Sequence, residues 1–158
     1  MNNPTKAYSL TARSLERLKG LDPKLVAVVR RAIQLTTVDF MVVEGVRSRE
    51  QCAINYGKGR SAAECLAKGV PAKHAQPKAA KVTWLNNPYA SKHVSGQAVD
   101  LLPAPYDWKA TGPFDAVAKA MLTAANELGV KVRWGADWDA DGKPREKGET
   151  DSPHFELG

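Results

Sequence analysis

The order of helical and strand-like segments is the feature that most constrains the fold. Apolar residues fall at helical spacing over 23–35 and 113–128, next to the capping residues Asp22 and Gly129. Short apolar runs typical of strands occupy 39–46, 97–102, 130–134 and 153–157. A parallel βαβ sheet requires helices and strands in regular alternation. Because this chain lacks that alternation, the sequence predicts an α+β fold.

Residues 57–90 differ from the rest of the chain. They carry Gly, Pro, Lys and Ala without clear periodicity, apart from a short helix predicted at 62–67. Long segments of this kind are uncommon in compact domains and often bind substrate. Since 158 residues suit one domain, we predict a single domain spanning 1–158, with 57–90 as a long surface excursion. Further helices are expected at 10–18 and 48–56.

The formal net charge of +6 favours anionic partners such as nucleic acid or the polymers of a cell envelope. Lys and Arg are dispersed rather than interleaved with aromatic residues in a dense block, which argues against nucleic acid. The first ten residues lack the apolar segment of a signal peptide, so we expect synthesis in a cytoplasm without an export signal. Cys52 and Cys65 are expected to be reduced thiols there, and they would pair only in an oxidising space.

Two distant segments contain the residues of a catalytic zinc site. His93 and Asp100 lie seven positions apart in SKHVSGQAVDLLP, and Gly96 between them allows a turn that points both at one centre. His154 comes from the segment DSPHFEL. Two imidazoles and one carboxylate leave a fourth zinc position open for water. The alternative is that the three are unrelated polar groups of the core or surface.

A second carboxylate, Asp151, precedes His154 by three positions. This spacing places it beside the metal without making it a ligand. Zinc lowers the pKa of a bound water to about 7, and a nearby carboxylate can accept its proton as the water attacks a carbonyl. The pattern favours hydrolysis, although spacing alone leaves both interpretations of the histidines open.

The two segments also resemble the motifs of a known family. SKHVSGQAVDL resembles the S-x-H-x-x-G-x-A-x-D motif of the VanY-like zinc D-alanyl-D-alanine carboxypeptidases and L-alanyl-D-glutamate endopeptidases, and WGADWDADG…TDSPHFEL resembles their second half. Residues 14–51 are similar to the opening of the phage endolysin branch. The resemblance covers nearly the whole chain apart from 57–90. It implies a Hedgehog/D-Ala-D-Ala peptidase-like fold: a small antiparallel sheet with flanking helices and zinc in a cleft.

The resemblance implies three zinc ligands: His93, Asp100 and His154. It assigns the general base to Asp151, where carboxypeptidase members commonly have Glu. Arg47, in EGVRSREQ, matches an arginine that faces the scissile carbonyl and would stabilise the oxyanion. Gln51 matches a glutamine that supports substrate binding. Without the resemblance, Arg47 would be interpreted as a surface residue paired with Glu50.

Three residues near these motifs have two possible interpretations each, and a fourth departs from the family motif. Ser91 either bonds substrate or His93, or caps a turn. Trp138 and Trp134 either line the cleft or belong to the core. Ala136 replaces the second Gly of the family's W-G-G-D-W segment, which affects the local backbone conformation and not the chemistry.

A further pattern, D-x-D-x-D-G, is the first half of a calcium loop and is formed by Asp137, Asp139, Asp141 and Gly142. Gly148 stands at the twelfth position, where calcium loops have Glu, and Glu146 and Glu149 flank it. Ca²⁺ binding and an ordinary polar loop both remain open.

The resemblance implies a zinc-dependent endolysin that cleaves the peptidoglycan stem peptide, most simply at the L-Ala–D-Glu bond. The alternatives are a D,D-carboxypeptidase that removes terminal D-Ala and a non-catalytic, zinc-containing wall-binding or phage tail module. We expect a monomer that adsorbs to the anionic cell envelope. Without an export signal, it would need a separate membrane-permeabilising holin to reach the wall.

Overall fold

A computed structural model of the chain describes residues 8–158, and these fall into two compact units. The first unit runs up to Val46 and resumes over Gly96–Gly158, and the second unit is Arg47–Ser95. The expectation about a signal peptide falls mainly on residues outside the described part. Within residues 8–158, no helix combines the length and the apolarity needed to cross a membrane.

The elements follow one another without a regular alternation of helix and strand. In chain order they are α1 (Ala12–Arg17), α2 (Pro23–Leu35), β1 (Phe40–Glu44), α3 (Arg49–Gly57), α4 (Ala62–Ala67), a short 3₁₀ helix (Ala72–His74), β2 (Ala98–Pro103), α5 (Thr111–Leu128), β3 (Val132–Trp134) and β4 (His154–Leu157). The predicted α+β class is therefore confirmed, and the predicted segments differ from these bounds by only a few residues.

The first unit is built on one antiparallel sheet with the strand order β1-β2-β4-β3. Its core lies between this sheet and the helices α2 and α5. Fully buried side chains from both layers fill it, including Leu25, Val28, Leu101, Met121 and Phe155. This architecture places the chain-terminal strand β4 next to β2, which is about 50 residues away in sequence.

Local signals fix the two long helices. The Asp22 side chain accepts a hydrogen bond from the Lys24 N–H, and Pro23 occupies the first helical position of α2. Gly129 ends α5 in the left-handed conformation, with φ of 68°. The helix α5 starts two residues earlier than predicted, because Pro113 is tolerated in a first helical turn.

The second unit has a small core of its own. Ser48 caps α3 and Ser61 caps α4. The buried residues are Ala53, Tyr56, Cys65 and Val70. Cys52 and Cys65 are both buried, and the structure holds each as a thiol rather than a disulfide. The helix predicted at 62–67 is confirmed, so the 57–90 segment is ordered around this core, while a single domain spanning 1–158 stays a prediction.

Candidate metal centre

The pairing of β2 with β4 brings Asp100 and His154 together. The two residues are direct partners in the antiparallel register, so their side chains project from the same face of the sheet. The distance between His154 Nδ1 and Asp100 Oδ1 is 3.2 Å. Both side chains are largely buried: 12% of the His154 side chain and 18% of the Asp100 side chain are exposed. The sheet therefore holds an imidazole and a carboxylate at contact distance from two remote segments.

Glu156 completes the surroundings of the His154 ring and was not predicted from the sequence. It lies two residues beyond His154 on β4, which puts both side chains on one face of the strand. His154 Nε2 lies 2.8 Å from Glu156 Oε1. The signal that could have revealed it is the H-x-E spacing within a strand, since alternate strand residues share a face.

The carboxylates around His154 change its protonation. Burial, the largest influence, lowers the pKa of His154, but hydrogen bonds to Asp100 and Glu156 and the charges of Asp100 and Asp151 together raise it above the ordinary value. The site thus favours positive charge at the imidazole. A metal cation can supply that charge in place of a proton.

Asp151 stands beside His154 at the end of the polar loop. Its Oδ2 lies 3.9 Å from His154 Nδ1, and its side chain is 56% exposed. A tight turn sets this position: His154 N–H donates to the Asp151 carbonyl and Asp151 N–H donates to the Gly135 carbonyl. A Cβ on Gly135 would overlap the Asp151 carbonyl oxygen and come 2.8 Å from Asp151 Cβ. Glycine at 135 is therefore required for the turn.

The two tryptophans of this loop have different environments. Trp134 is buried, stacks on Phe155 and donates its indole N–H to the Ser152 carbonyl, so it is a core residue. Trp138 meets the His154 ring edge-on, with 5.6 Å between centroids. The change from Gly to Ala136 is accommodated, because Ala136 is fully buried in the core.

Within the second unit, Ser91 ties Arg47 and His93 together. Ser91 Oγ accepts a hydrogen bond from the His93 N–H at 3.2 Å, which is a turn-capping bond, and lies 3.4 Å from Arg47 Nη1. The Arg47 N–H donates to the His93 carbonyl at 3.0 Å. His93 is 3% exposed. The Ser91 hydroxyl thus caps a turn at His93, and its contact with substrate stays a prediction.

Gln51 is exposed on the first turn of α3. Its side-chain amide donates to Asn55 Oδ1 at 2.9 Å, four residues further along the same helix. This bond holds the amide along the helix surface.

Asp100 and His154 are spaced as two ligands of one metal ion would be. His93, in the second unit, is the third ligand that the sequence predicts. Tetrahedral zinc with bonds of about 2.1 Å places its ligands roughly 3.4 Å apart, close to the 3.2 Å between His154 Nδ1 and Asp100 Oδ1. Glu156 at the opposite ring nitrogen matches the carboxylate that commonly orients a metal-bound histidine. The donor set and its support therefore fit a catalytic zinc ion.

The acidic loop, defined as residues 137–149, gathers a second set of carboxylates. Two groups have ligand atoms within 4.8 Å of one another: Asp137, Asp139 and Asp141, and then Asp139, Glu146 and Glu149. Asp137 Oδ2 also accepts the Gly142 N–H at 3.0 Å. The groups share Asp139, so the loop brings together five carboxylates that the sequence pattern only partly predicted.

Glu149 is the unusual member of this loop. It is 5% exposed, and its Oε2 accepts the Asp139 N–H at 3.3 Å. Its Oε1 is buried without a hydrogen-bond partner among the described residues. The hydrogen bond with Asp141 and that residue's charge raise the pKa of Glu146 to about 7. A cation would stabilise a buried carboxylate oxygen of this kind beside crowded acids.

Comparisons with known proteins agree on one family. The family model for phage L-alanyl-D-glutamate peptidase matches residues 6–81 and 67–158. An L-alanyl-D-glutamate peptidase of Escherichia phage T5 is 33% identical over 157 residues, covering 96% of this chain and 98% of that protein. The crystal structure of the Serratia marcescens L-Ala D-Glu endopeptidase ChiX superposes with a TM-score of 0.62 at 29% identity, covering 99% of this chain and 94% of that one.

Proposed function

The chain belongs to the phage L-alanyl-D-glutamate peptidase family, and from this premise we propose that it is a zinc metallopeptidase of bacterial peptidoglycan. Its substrate would be the stem peptide, cleaved at the L-Ala–D-Glu bond. The observation that carries the proposal is the pair of Asp100 and His154 on neighbouring strands, whose Oδ1 and Nδ1 lie 3.2 Å apart. We propose His93 as the third ligand. Two imidazoles and a carboxylate are a catalytic donor set, with room for a water.

The three residues would hold one Zn²⁺ ion through two nitrogens and one oxygen. When bound, zinc would polarise the scissile carbonyl and lower the pKa of a water to about 7. Glu156 would fix the His154 ring through its 2.8 Å contact at Nε2. Asp100, held opposite His154 by the strand register, would supply the charge that balances the cation.

The proton transfers would belong to Asp151. Its carboxylate is 56% exposed and lies beside His154, so it can reach both solvent and a reacting group. In the proposed sequence it accepts a proton from the attacking water and then donates it to the leaving amine. The Gly135 turn holds it in place, and its shorter arm would take the role that Glu has in carboxypeptidase members.

Arg47 would stabilise the negative charge that develops on the carbonyl oxygen. Its contacts with Ser91 and with the His93 backbone connect it to a proposed zinc ligand. Ser91, Gln51 and Trp138 are proposed to contact substrate. Trp138 is the best placed of these, since it touches the His154 ring.

We also propose that the acidic loop binds one Ca²⁺ ion. The support is the buried Oε1 of Glu149, together with the two groups of converging carboxylates. Calcium takes six to eight oxygen ligands and prefers carboxylates. An ion there would neutralise charges that otherwise repel one another and would order the loop that carries Trp138.

The proposal extends to the protein's surroundings. The phage source of the 33% identical relative supports a role in lysis. We propose that the protein acts as a monomer on the cell wall, and that a separate holin gives it access. The net charge of +6 would favour adsorption to anionic envelope layers.

A soluble stem peptide containing the L-Ala–D-Glu bond tests the activity directly. We expect the zinc-loaded protein to release a product with N-terminal D-Glu, a chelator to abolish the reaction and added zinc to restore it. Release of terminal D-Ala alone would instead identify a carboxypeptidase. A folded, zinc-loaded protein that cleaves nothing would be a binding module.

A further inference from the structure

Positive charge is concentrated in the second unit, residues 47–95. This segment contains nine Lys and Arg residues against Glu50 and Glu64, a net charge of +7 with His74 and His93 neutral. The whole chain carries +6, so the rest of the chain has a net charge of −1. The basic character of the protein therefore belongs to one unit rather than to the surface as a whole.

The same unit exposes a cluster of apolar side chains. The Trp84 loop, defined as residues 81–86, presents Trp84 with 76% of its surface exposed, Val82 with 51% and Leu85 with 40%. Isolated exposed apolar residues are ordinary, but three within four positions, one of them a tryptophan, indicate an interaction site.

The Trp84 loop is anchored rather than loosely attached. Arg60 is 7% exposed, and its guanidinium donates to the carbonyls of Tyr56 and Thr83 at 2.9 Å each. Lys68 Nζ donates to Asn86 Oδ1 at 2.7 Å. The loop is thus held at the Thr83 carbonyl and at the Asn86 side chain, while Trp84 faces solvent.

A glycine allows the close approach of this loop to the end of α3. Gly59 has φ of +80°, and a Cβ there would lie 2.5 Å from Lys81 Cγ and 3.0 Å from Lys81 N. A loop that is already ordered loses little conformational entropy when its apolar side chains are buried by a partner.

Lysines adjoin the apolar residues. Lys81 opens the loop, Lys78 precedes it by three residues, and both are exposed, as is Lys68 at its other end. Tryptophan and aliphatic side chains enter the interfacial layer of a bilayer, while lysines bind anionic headgroups. A polysaccharide would stack on Trp84 but would gain little from Val82 and Leu85, so the combination favours lipid.

We propose that the second unit binds the surface of an anionic phospholipid bilayer, with the Trp84 loop inserted at the interface and the neighbouring lysines on the headgroups. This interaction goes beyond the proposed peptidase activity and does not depend on it. It would hold the protein at a membrane surface whether or not the chain hydrolyses peptide.

Co-sedimentation of the full chain with vesicles tests the proposal. We expect binding to vesicles of phosphatidylethanolamine and phosphatidylglycerol and much weaker binding to phosphatidylcholine. Trp84→Ala should weaken binding roughly tenfold. Lys78→Gln with Lys81→Gln should weaken it by about fivefold for each lysine, and the loss should shrink at high salt.

Matched variants in the first unit serve as controls. Trp108 is 57% exposed and Lys109 and Lys119 are exposed, so Trp108→Ala and the double change Lys109→Gln with Lys119→Gln should bind like the wild type. Thermal denaturation checks folding, and Leu85→Ser replaces Trp84→Ala if the latter is destabilised.

Three results would each overturn the proposal. The first is equal binding to anionic and zwitterionic vesicles, and the second is equal binding by wild type and Trp84→Ala. The third is binding to purified sacculi, lost in Trp84→Ala, without binding to vesicles, which would assign the Trp84 loop to the wall polymer instead.

Discussion

Substitutions of individual side chains around His154 should affect different properties, zinc affinity in one case and turnover in another. Glu156 Oε1 lies 2.8 Å from His154 Nε2 and would orient the ring and increase its basicity toward the metal. We expect Glu156→Gln to lower zinc affinity by about 10–100-fold while the chain stays folded. Competition with a chromogenic chelator measures the affinity. Glu16→Gln, at an exposed position paired only locally with Lys19, is the control and should match the wild type, whereas an unchanged affinity in Glu156→Gln would exclude the orienting role.

Asp151 should affect turnover rather than metal binding. Because its proposed role is proton transfer, Asp151→Asn should lower kcat on a stem peptide by about 10²–10⁴-fold. Zinc content, measured by mass spectrometry of the metal, should remain one ion per chain. Asp107→Asn changes an aspartate of another loop and should keep full activity. A variant at 151 that loses zinc together with activity would show that Asp151 is a ligand.

The sequence predicted His93, Asp100 and His154 as ligands because ligand chemistry depends on residue type. The structure shows Asp100 and His154 in contact, and His93 stays a prediction. The roles of Arg47 and Asp151 stay predictions. Glu156 was missed although it could have been predicted, because the H-x-E spacing within the predicted strand 153–157 puts its side chain on the same face as His154. By contrast, the lack of a partner at Glu149 Oε1 is visible only in three dimensions.

At the scale of elements, the turn at Gly135 connects the loop to β4. A Cβ there would come 2.8 Å from Asp151 Cβ and 3.1 Å from His154 Cβ. We expect Gly135→Ala to destabilise the fold by about 1–3 kcal/mol and to reduce activity strongly. Gly112→Ala is the matched control: a Cβ there meets nothing within 4 Å, and the site lies in α5, so stability should rise slightly. Chemical denaturation of both variants measures the difference, and equal stabilities would contradict the close approach.

The stabilisation that calcium gives through the acidic loop should depend on pH. The pKa of Glu146 is raised to about 7 from 4.5, so without calcium the stability contributed by its protonated form is lost as the pH rises across that interval. Calcium requires the ionised form. We therefore expect calcium to raise the Tm more at pH 8 than at pH 6. Thermal scans with added calcium measure this, with Glu149→Gln expected to reduce the effect. A calcium shift that is equal at both pH values would contradict the role of Glu146.

Helices with capping residues in their own sequence could be predicted. The strand order and the second core, which depend on residues distant in sequence, could not. The helix α2 has Asp22 and Pro23 at its start, and α4 has the Ser61 cap, so both match their predicted ranges. The strand order depends on pairing between β2 and β4, which no local pattern encodes. The core around Tyr56 and Cys65 was missed because its residues come from several short elements without a shared period.

At the scale of the whole molecule, the uneven charge should make activity depend on the form of the substrate. Residues 47–95 carry a net charge of +7, which would promote adsorption to anionic envelope layers. Salt screens such attraction, with a Debye length of about 8 Å at 0.15 M. We expect 0.5 M salt, on the order of three times physiological ionic strength, to slow the lysis of cells whose outer membrane has been permeabilised. The same salt should leave hydrolysis of a soluble stem peptide nearly unchanged. Lysis that stays constant or rises with salt would contradict this role of the charge.

The central claim is that a zinc ion held by His93, Asp100 and His154 makes this chain an L-alanyl-D-glutamate endopeptidase. Digestion of purified sacculi, with fragments identified by mass spectrometry, tests it most directly. The account predicts stem peptides with new N-terminal D-Glu, absent after chelation, restored by zinc and absent in His154→Ala. Fragments with new D-Glu ends that persist in the chelated, zinc-free protein would contradict it.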